Sequence, residues 1–129
     1  MKKEDYISYW SLESKKDFGR AQLHFETKDY LFALFCAHLC LEKILKAHWV
    51  KSNKENVPPR IHNLVFLADQ AKLTFTNEQR AFLETMNVFQ LEGRYPDYQY
   101  TVSKTLKSKN TLQLLEQTKT FRTWLQKML

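Results

Sequence analysis

From Tyr30 to Leu41 every position is apolar except His38. Crossing a membrane takes about 20 apolar residues, so this shorter run suits a helix that other helices enclose. The stretch Tyr30 to Val50 is therefore expected to be the central rod of an all-helical domain. Asp29 is its expected N-cap, since a carboxylate there accepts a bond from a free first-turn amide and favours the positive end of the helix dipole. Beyond Leu41 the pattern becomes mixed. Glu42 and Lys46 stand at the favourable i,i+4 spacing, while Ile44, Leu45, Ala47, Trp49 and Val50 continue the apolar side. The first half is expected to be buried all round and the second half to keep one wet face.

The other elements follow from the same patterning. Ile7, Trp10, Ser14, Phe18, Ala21 and Phe25 recur at steps of three and four and predict a helix over 4–26, with Lys15, Lys16, Asp17 and Arg20 on its opposite side. The link Thr27-Lys28 is too short to carry the chain away, so the central helix returns antiparallel to the first. Residues 51–61 are polar and end in Pro58-Pro59, which cannot continue a helix. His62 and Asn63 can cap a short helix with Leu64, Leu67, Ala68 and Ala71 inside. Thr76 and Gln79 spell a capping box. The helix that follows buries Phe82, Leu83, Met86 and Phe89 and should end near Gly93, with the glycine as its stop. Leu114, Thr118, Phe121, Leu125 and Met128 mark a last helix from Asn110 to the end. The expectation is a single domain over 1–129, an all-α, up-and-down bundle of five helices, four long and one short.

Composition narrows the class further. Two glycines and three prolines in 129 residues are too few for a turn-rich β-sandwich, and 43% hydrophobic residues supply ample core material. The N-terminus Met1-Lys2-Lys3-Glu4-Asp5 lacks the apolar run of a signal peptide, so a cytoplasmic protein with no membrane contact is expected. The net charge of +6 arises from 20 basic and 14 acidic residues without a run of five like charges. That reads as a solvated surface, although it also favours encounter with polyanions.

Candidate chemistry is sparse. Cys36 and Cys40 share a helix face with His48, but roughly 12 Å of helix separates His48 from Cys40, and zinc needs three or four ligands at one point. Reduced thiols acting as small core hydrophobes suit a cytoplasmic protein better, so no metal is expected. His62 is of the residue type that serves as an acid–base catalyst, yet without a chemical partner nearby it reads first as a capping or structural histidine. There is no clustered carboxylate set for metal-ion catalysis and no glycine-rich phosphate loop, so no cofactor is expected. The segment from Arg94 to Lys109 is the most informative outside the core. It opens Arg94-Tyr95-Pro96-Asp97-Tyr98-Gln99-Tyr100 and is expected to be a loop. A cation, three phenols and a carboxylate so close together can bind a nucleotide by stacking and charge, or can plug the end of the bundle.

A family resemblance rests on the order of several short motifs. Tyr9-Trp10, Asp29-Tyr30, Ala37, Glu42-Lys43, Lys46-Ala47, Pro58-Pro59, His62-Asn63-Leu64 and Arg94-Tyr95-Pro96-Asp97 together resemble a HEPN domain (higher eukaryotes and prokaryotes nucleotide-binding) of the small stand-alone prokaryotic type. The resemblance spans essentially the whole chain. It implies a bundle of four or five helices that commonly dimerises. It also implies one of two functions. Many such proteins are ribonucleases, often toxins, whose site pairs an arginine with a histidine after four to six intervening residues; others bind nucleotides or partner small nucleotidyltransferases without catalysis.

The arginine–histidine motif is not intact in this chain. Counting from Arg94, the histidine should stand at 99, 100 or 101, where the chain has Gln99, Tyr100 and Thr101. Arg20 and His24 are too close together, and Arg60 and His62 closer still. A tyrosine with a pKa of about 10 is a poor general base near neutrality. The expected function is thus a non-catalytic nucleotide- or nucleotidyltransferase-binding regulatory module, as in a toxin–antitoxin pair, acting as a homodimer. The alternative is a divergent ribonuclease, independent of metal, in which Arg94 still contacts RNA phosphate. Arg94, Tyr95, Asp97 and Tyr100 are the candidate binding residues, with Lys46 and His62 as secondary candidates.

Overall fold

The computed structural model describes residues 1–95 and 101–129. Its elements are α1 (Lys3–Glu26), α2 (Tyr30–Ser52), α3 (Leu64–Gln70), α4 (Asn77–Arg94), α5 (Thr101–Thr105) and α6 (Ser108–Lys127), with no strand among the described residues. The expected all-α bundle is present. It has one element more than expected, because the segment read as a loop contains the five-residue α5.

Capping residues set the helix starts. The Asp29 carboxylate accepts from the Phe32 amide at 3.3 Å, and Asn63 does the same for Phe66 at 3.1 Å. At the head of α4, Thr76 and Gln79 exchange both bonds of a capping box, at 2.8 and 3.1 Å. Between α1 and α2 the chain reverses through Lys28, whose φ of 65° places it in the left-handed region.

α2 is the axis of the molecule, and α1, α3, α4 and α6 all pack against it. Side-chain contacts give the directions. Ser14 meets Cys40 and Lys3 meets Val50, so α1 runs antiparallel to α2. Phe35 lies beside Gly93 at the far end of α4, which makes α4 antiparallel to α2 as well. His48 bonds Leu125 and Lys51 bonds Met128, so α6 runs parallel to α2. The core is continuous through Leu34, Leu41, Ile44, Leu45, Leu64, Leu67, Leu83, Met86 and Leu125, all fully buried. No described helix is long and apolar enough to cross a membrane.

Three expectations about helix faces are corrected. α4 ends at Arg94, near Gly93 as expected, but Gly93 is not a left-handed cap. It lies inside α4, where a Cβ would fall 2.5 Å from the Phe35 Cβ, so its role is close approach of α4 to α2. Asp17, assigned to the wet side of α1, is 2% exposed, with both Arg20 and Lys43 on its carboxylate. The burial of α2 is also reversed: Phe32 in its first turn is exposed, whereas Glu42, Lys46 and His48 in its second half are buried.

Candidate functional site

The buried polar residues on α2 form a cluster around the Glu42 carboxylate. Lys46, one turn on, donates to Glu42 Oε2 at 3.0 Å, and His62, from the approach to α3, donates through Nδ1 to Glu42 Oε1 at 2.9 Å. His38, one turn back, has Nδ1 3.9 Å from the same Oε1. A lone carboxylate would not remain at 4% exposure, but one that receives an ammonium and an imidazole N–H can. The indole of Trp10 covers Lys46, with Nζ 5.4 Å from the ring centre. Mutual neutralisation and this aromatic cover are why the expected wet face is dry.

The three basic partners differ in access. His62 keeps 43% of its side chain exposed. With Nδ1 committed to Glu42, Nε2 is the ring nitrogen left for another partner. His38 is fully buried, and among the described residues neither ring nitrogen completes a hydrogen bond. Burial pushes its pKa down to about 4, against a smaller upward pull from Glu42. Lys46 is 6% exposed and committed to Glu42, which leaves its ammonium little to offer a ligand. Asn87 of α4 ties this region together, accepting from the Leu64 amide at 2.9 Å and donating to Asn63 at 3.3 Å.

Arg94 lies at the other end of the same α2–α4 seam. Its guanidinium carbon sits 5.4 Å from the centre of the Phe35 ring, a contact worth about 0.5–1 kcal/mol at an exposed site. Phe35 in turn packs on Phe32 at 5.6 Å between centroids, and Phe32 on His24 at 4.5 Å. Arg94 is exposed, and no carboxylate among the described residues pairs with it. Tyr95, 69% exposed, closes α4 with its amide on the Leu91 carbonyl at 2.7 Å. Asp97 and Tyr100 lie outside the described residues.

The structure thus separates the candidates into two places. Arg94 and Tyr95 stand together, and His62 and Lys46 meet on Glu42. Phe35 and Glu42 are two turns apart on α2, so roughly 10 Å divides the two groups along the seam. The aromatic row of His24, Phe32 and Phe35 beside Arg94 escaped the sequence reading. Its only sequence signal was the i,i+3 pair Phe32 and Phe35, which looked like ordinary core. Glu42 escaped for a different reason, since an i,i+4 pair with Lys46 usually lies on a surface.

The cysteines do not join either place. Cys36 and Cys40 are free and buried, and burial pushes their pKa values up to about 11 and about 12, which keeps them protonated and inert. His48 donates from Nε2 to the Leu125 carbonyl at 2.8 Å, away from both thiols. Among the described residues, no three His, Cys, Asp or Glu side chains are placed to hold a metal ion.

Comparison with known proteins adds one finding. The model of the family described as HEPN domain matches residues 7–128, nearly the whole chain. No curated protein and no solved structure matches the chain. The family is one of nucleotide-binding and ribonuclease-type modules, and its all-helical architecture agrees with the bundle described above. The chain belongs to the HEPN domain family.

Proposed function

We propose that the protein is a non-catalytic HEPN module that binds a nucleotide, or the nucleotidyltransferase that carries one, and so regulates a toxin–antitoxin type of pair in the cytoplasm. The observation that supports this best is Arg94: an exposed guanidinium held over Phe35 with no carboxylate partner among the described residues. An arginine consumed by internal acids has no donors left for phosphate, whereas among the described residues no acid takes the donors of this exposed one. Phe32 and Tyr95 beside it offer ring faces on which a base can stack. The test is Arg94→Lys, which keeps the charge and loses the bidentate fork. Titration with labelled ATP and with short single-stranded RNA should show weaker binding at an unchanged melting temperature; intact binding with a lower melting temperature would make the corner purely structural.

A second reading, the divergent ribonuclease, is supported by the Glu42–His62 pair. A carboxylate that holds Nδ1–H leaves Nε2 as a base able to take a proton from a ribose 2′-hydroxyl. Against it stands the separation from Arg94. Two groups acting on one phosphate each lie about 3 Å from its oxygens, closer together than the roughly 10 Å along one chain. Incubation of the purified protein with mixed RNA in EDTA discriminates. Cleavage abolished by His62→Asn, whose amide can still donate to Glu42, would replace the binding reading with the catalytic one.

A further inference from the structure

We infer that the gap between α4 and α6 is a docking groove for a basic amphipathic helix of a partner protein, distinct from the Arg94 end of the molecule. α4 and α6 each pack on α2 and meet one another through Phe82 and Phe121, whose ring centroids are 5.6 Å apart, and above these rings the N-terminal half of α4 and the middle of α6 leave a cleft. The space left between them is about 640 Å³. Its floor is aromatic: Phe82 and Trp124 are half-buried and Phe121 is 7% exposed, with Phe75 packed behind at 5.2 Å from Phe121 and 5.6 Å from Trp124. From Gln113 to Trp124 the α6 wall runs roughly 17 Å, three turns of helix. That is longer than the roughly 10 Å over which a bound helix sets apolar anchors at i, i+4 and i+7, so such a helix fits along it.

The rim specifies the charge of the occupant. Glu78 and Glu116 are the charged residues lining the groove, and no lysine or arginine joins them, although the whole chain carries a net charge of +6. Glu78, Gln113, Glu116, Gln117 and Thr120 are all exposed. None of their side chains makes a hydrogen bond or ion pair among the described residues, so their acceptors are free for an incoming ligand. An acidic rim over an aromatic floor on an otherwise basic protein attracts a cationic amphipathic helix locally, while the rest of the surface repels it.

The experiment uses the full chain with an 18-residue fluorescein-labelled Leu/Lys amphipathic helix, its Leu/Glu counterpart, and a Leu/Lys peptide of equal composition interrupted by two prolines. Fluorescence anisotropy at physiological ionic strength should show saturable binding of the Leu/Lys helix and at least about tenfold weaker binding of the other two. The double variant Glu78→Lys/Glu116→Lys should lower affinity by at least about tenfold at an unchanged melting temperature, and Trp124→Phe should remove the tryptophan emission shift that binding produces. Equal affinity for the Leu/Glu peptide, undiminished binding by the charge-reversed variant, or a change in its mass by light scattering that shows the groove to be filled by a second copy would each overturn the inference.

Discussion

Glu42 links two basic side chains one turn away on its own helix, His38 and Lys46, to His62 from outside that helix, and its removal should show how much the interior depends on it. Glu42→Ala leaves the Lys46 ammonium buried at 6% exposure without an anion, so a loss of about 3–5 kcal/mol in chemical denaturation is expected. The double variant Glu42→Leu/Lys46→Met should recover most of that loss. If the double is no better than the single, the penalty lies in packing and not in charge. His38 makes a separate demand. Its pKa falls from 6.5 to about 4 on folding, so between these values the unfolded chain binds a proton that the native chain excludes. Its contribution is therefore complete above pH 6.5 and is lost as the pH falls toward 4, by roughly 3 kcal/mol in all. His48, lowered in the same direction by burial, adds to this loss. Thermal melts of His38→Leu should fall less between pH 7 and 4.5 than those of the parent chain; parallel curves would show that His38 is not the group that titrates.

At the scale of the elements, two glycines on helices have opposite consequences. Gly19 on α1 has open space where a Cβ would go, so Gly19→Ala should stabilise the protein by about 0.5–1 kcal/mol through helix propensity alone. Gly93→Ala carries the same propensity gain, but its methyl would meet the Phe35 Cβ at 2.5 Å and drive α4 off α2. A net loss of about 1–3 kcal/mol is expected, together with weaker binding at Arg94, which rides on Phe35. Stabilisation by both substitutions would mean that the α2–α4 seam yields easily. The sequence marked Gly93 as a stop because glycine near a helix end usually serves that purpose. Helix propensity cannot distinguish a glycine that ends a helix from one that lets two helices touch.

At the scale of the whole molecule, the outer side of α4 carries apolar residues that its own packing does not cover. Val88 and Leu91 lie at i and i+3 on the outer side of α4 and are 47% and 56% exposed. We propose this stripe as the contact between two copies of the chain, an isologous pairing that would set two Arg94 sites side by side. Light scattering at micromolar concentration should report about twice the 15.5 kDa of the chain. Val88→Glu/Leu91→Glu should return it to a single copy without loss of helicity, because both positions face outward. A mass of one chain for the parent protein would leave the stripe without this role.

The sequence alone determined the helical class, the identity of α2 as the axis, and the caps at Asp29, Asn63 and Thr76. These depend on periodicity and on local hydrogen bonding, both of which act within a few residues. Tertiary structure decided which polar residues are buried. Asp17, Glu42 and Lys46 look like solvent-facing charges in any local window, and only the convergence of Lys43 on Asp17 and of His62 on Glu42 makes their burial tolerable. A carboxylate enters the interior when a cation or N–H donor from elsewhere meets it there, and the meeting of residues 20 or more positions apart is a property of the packed helices.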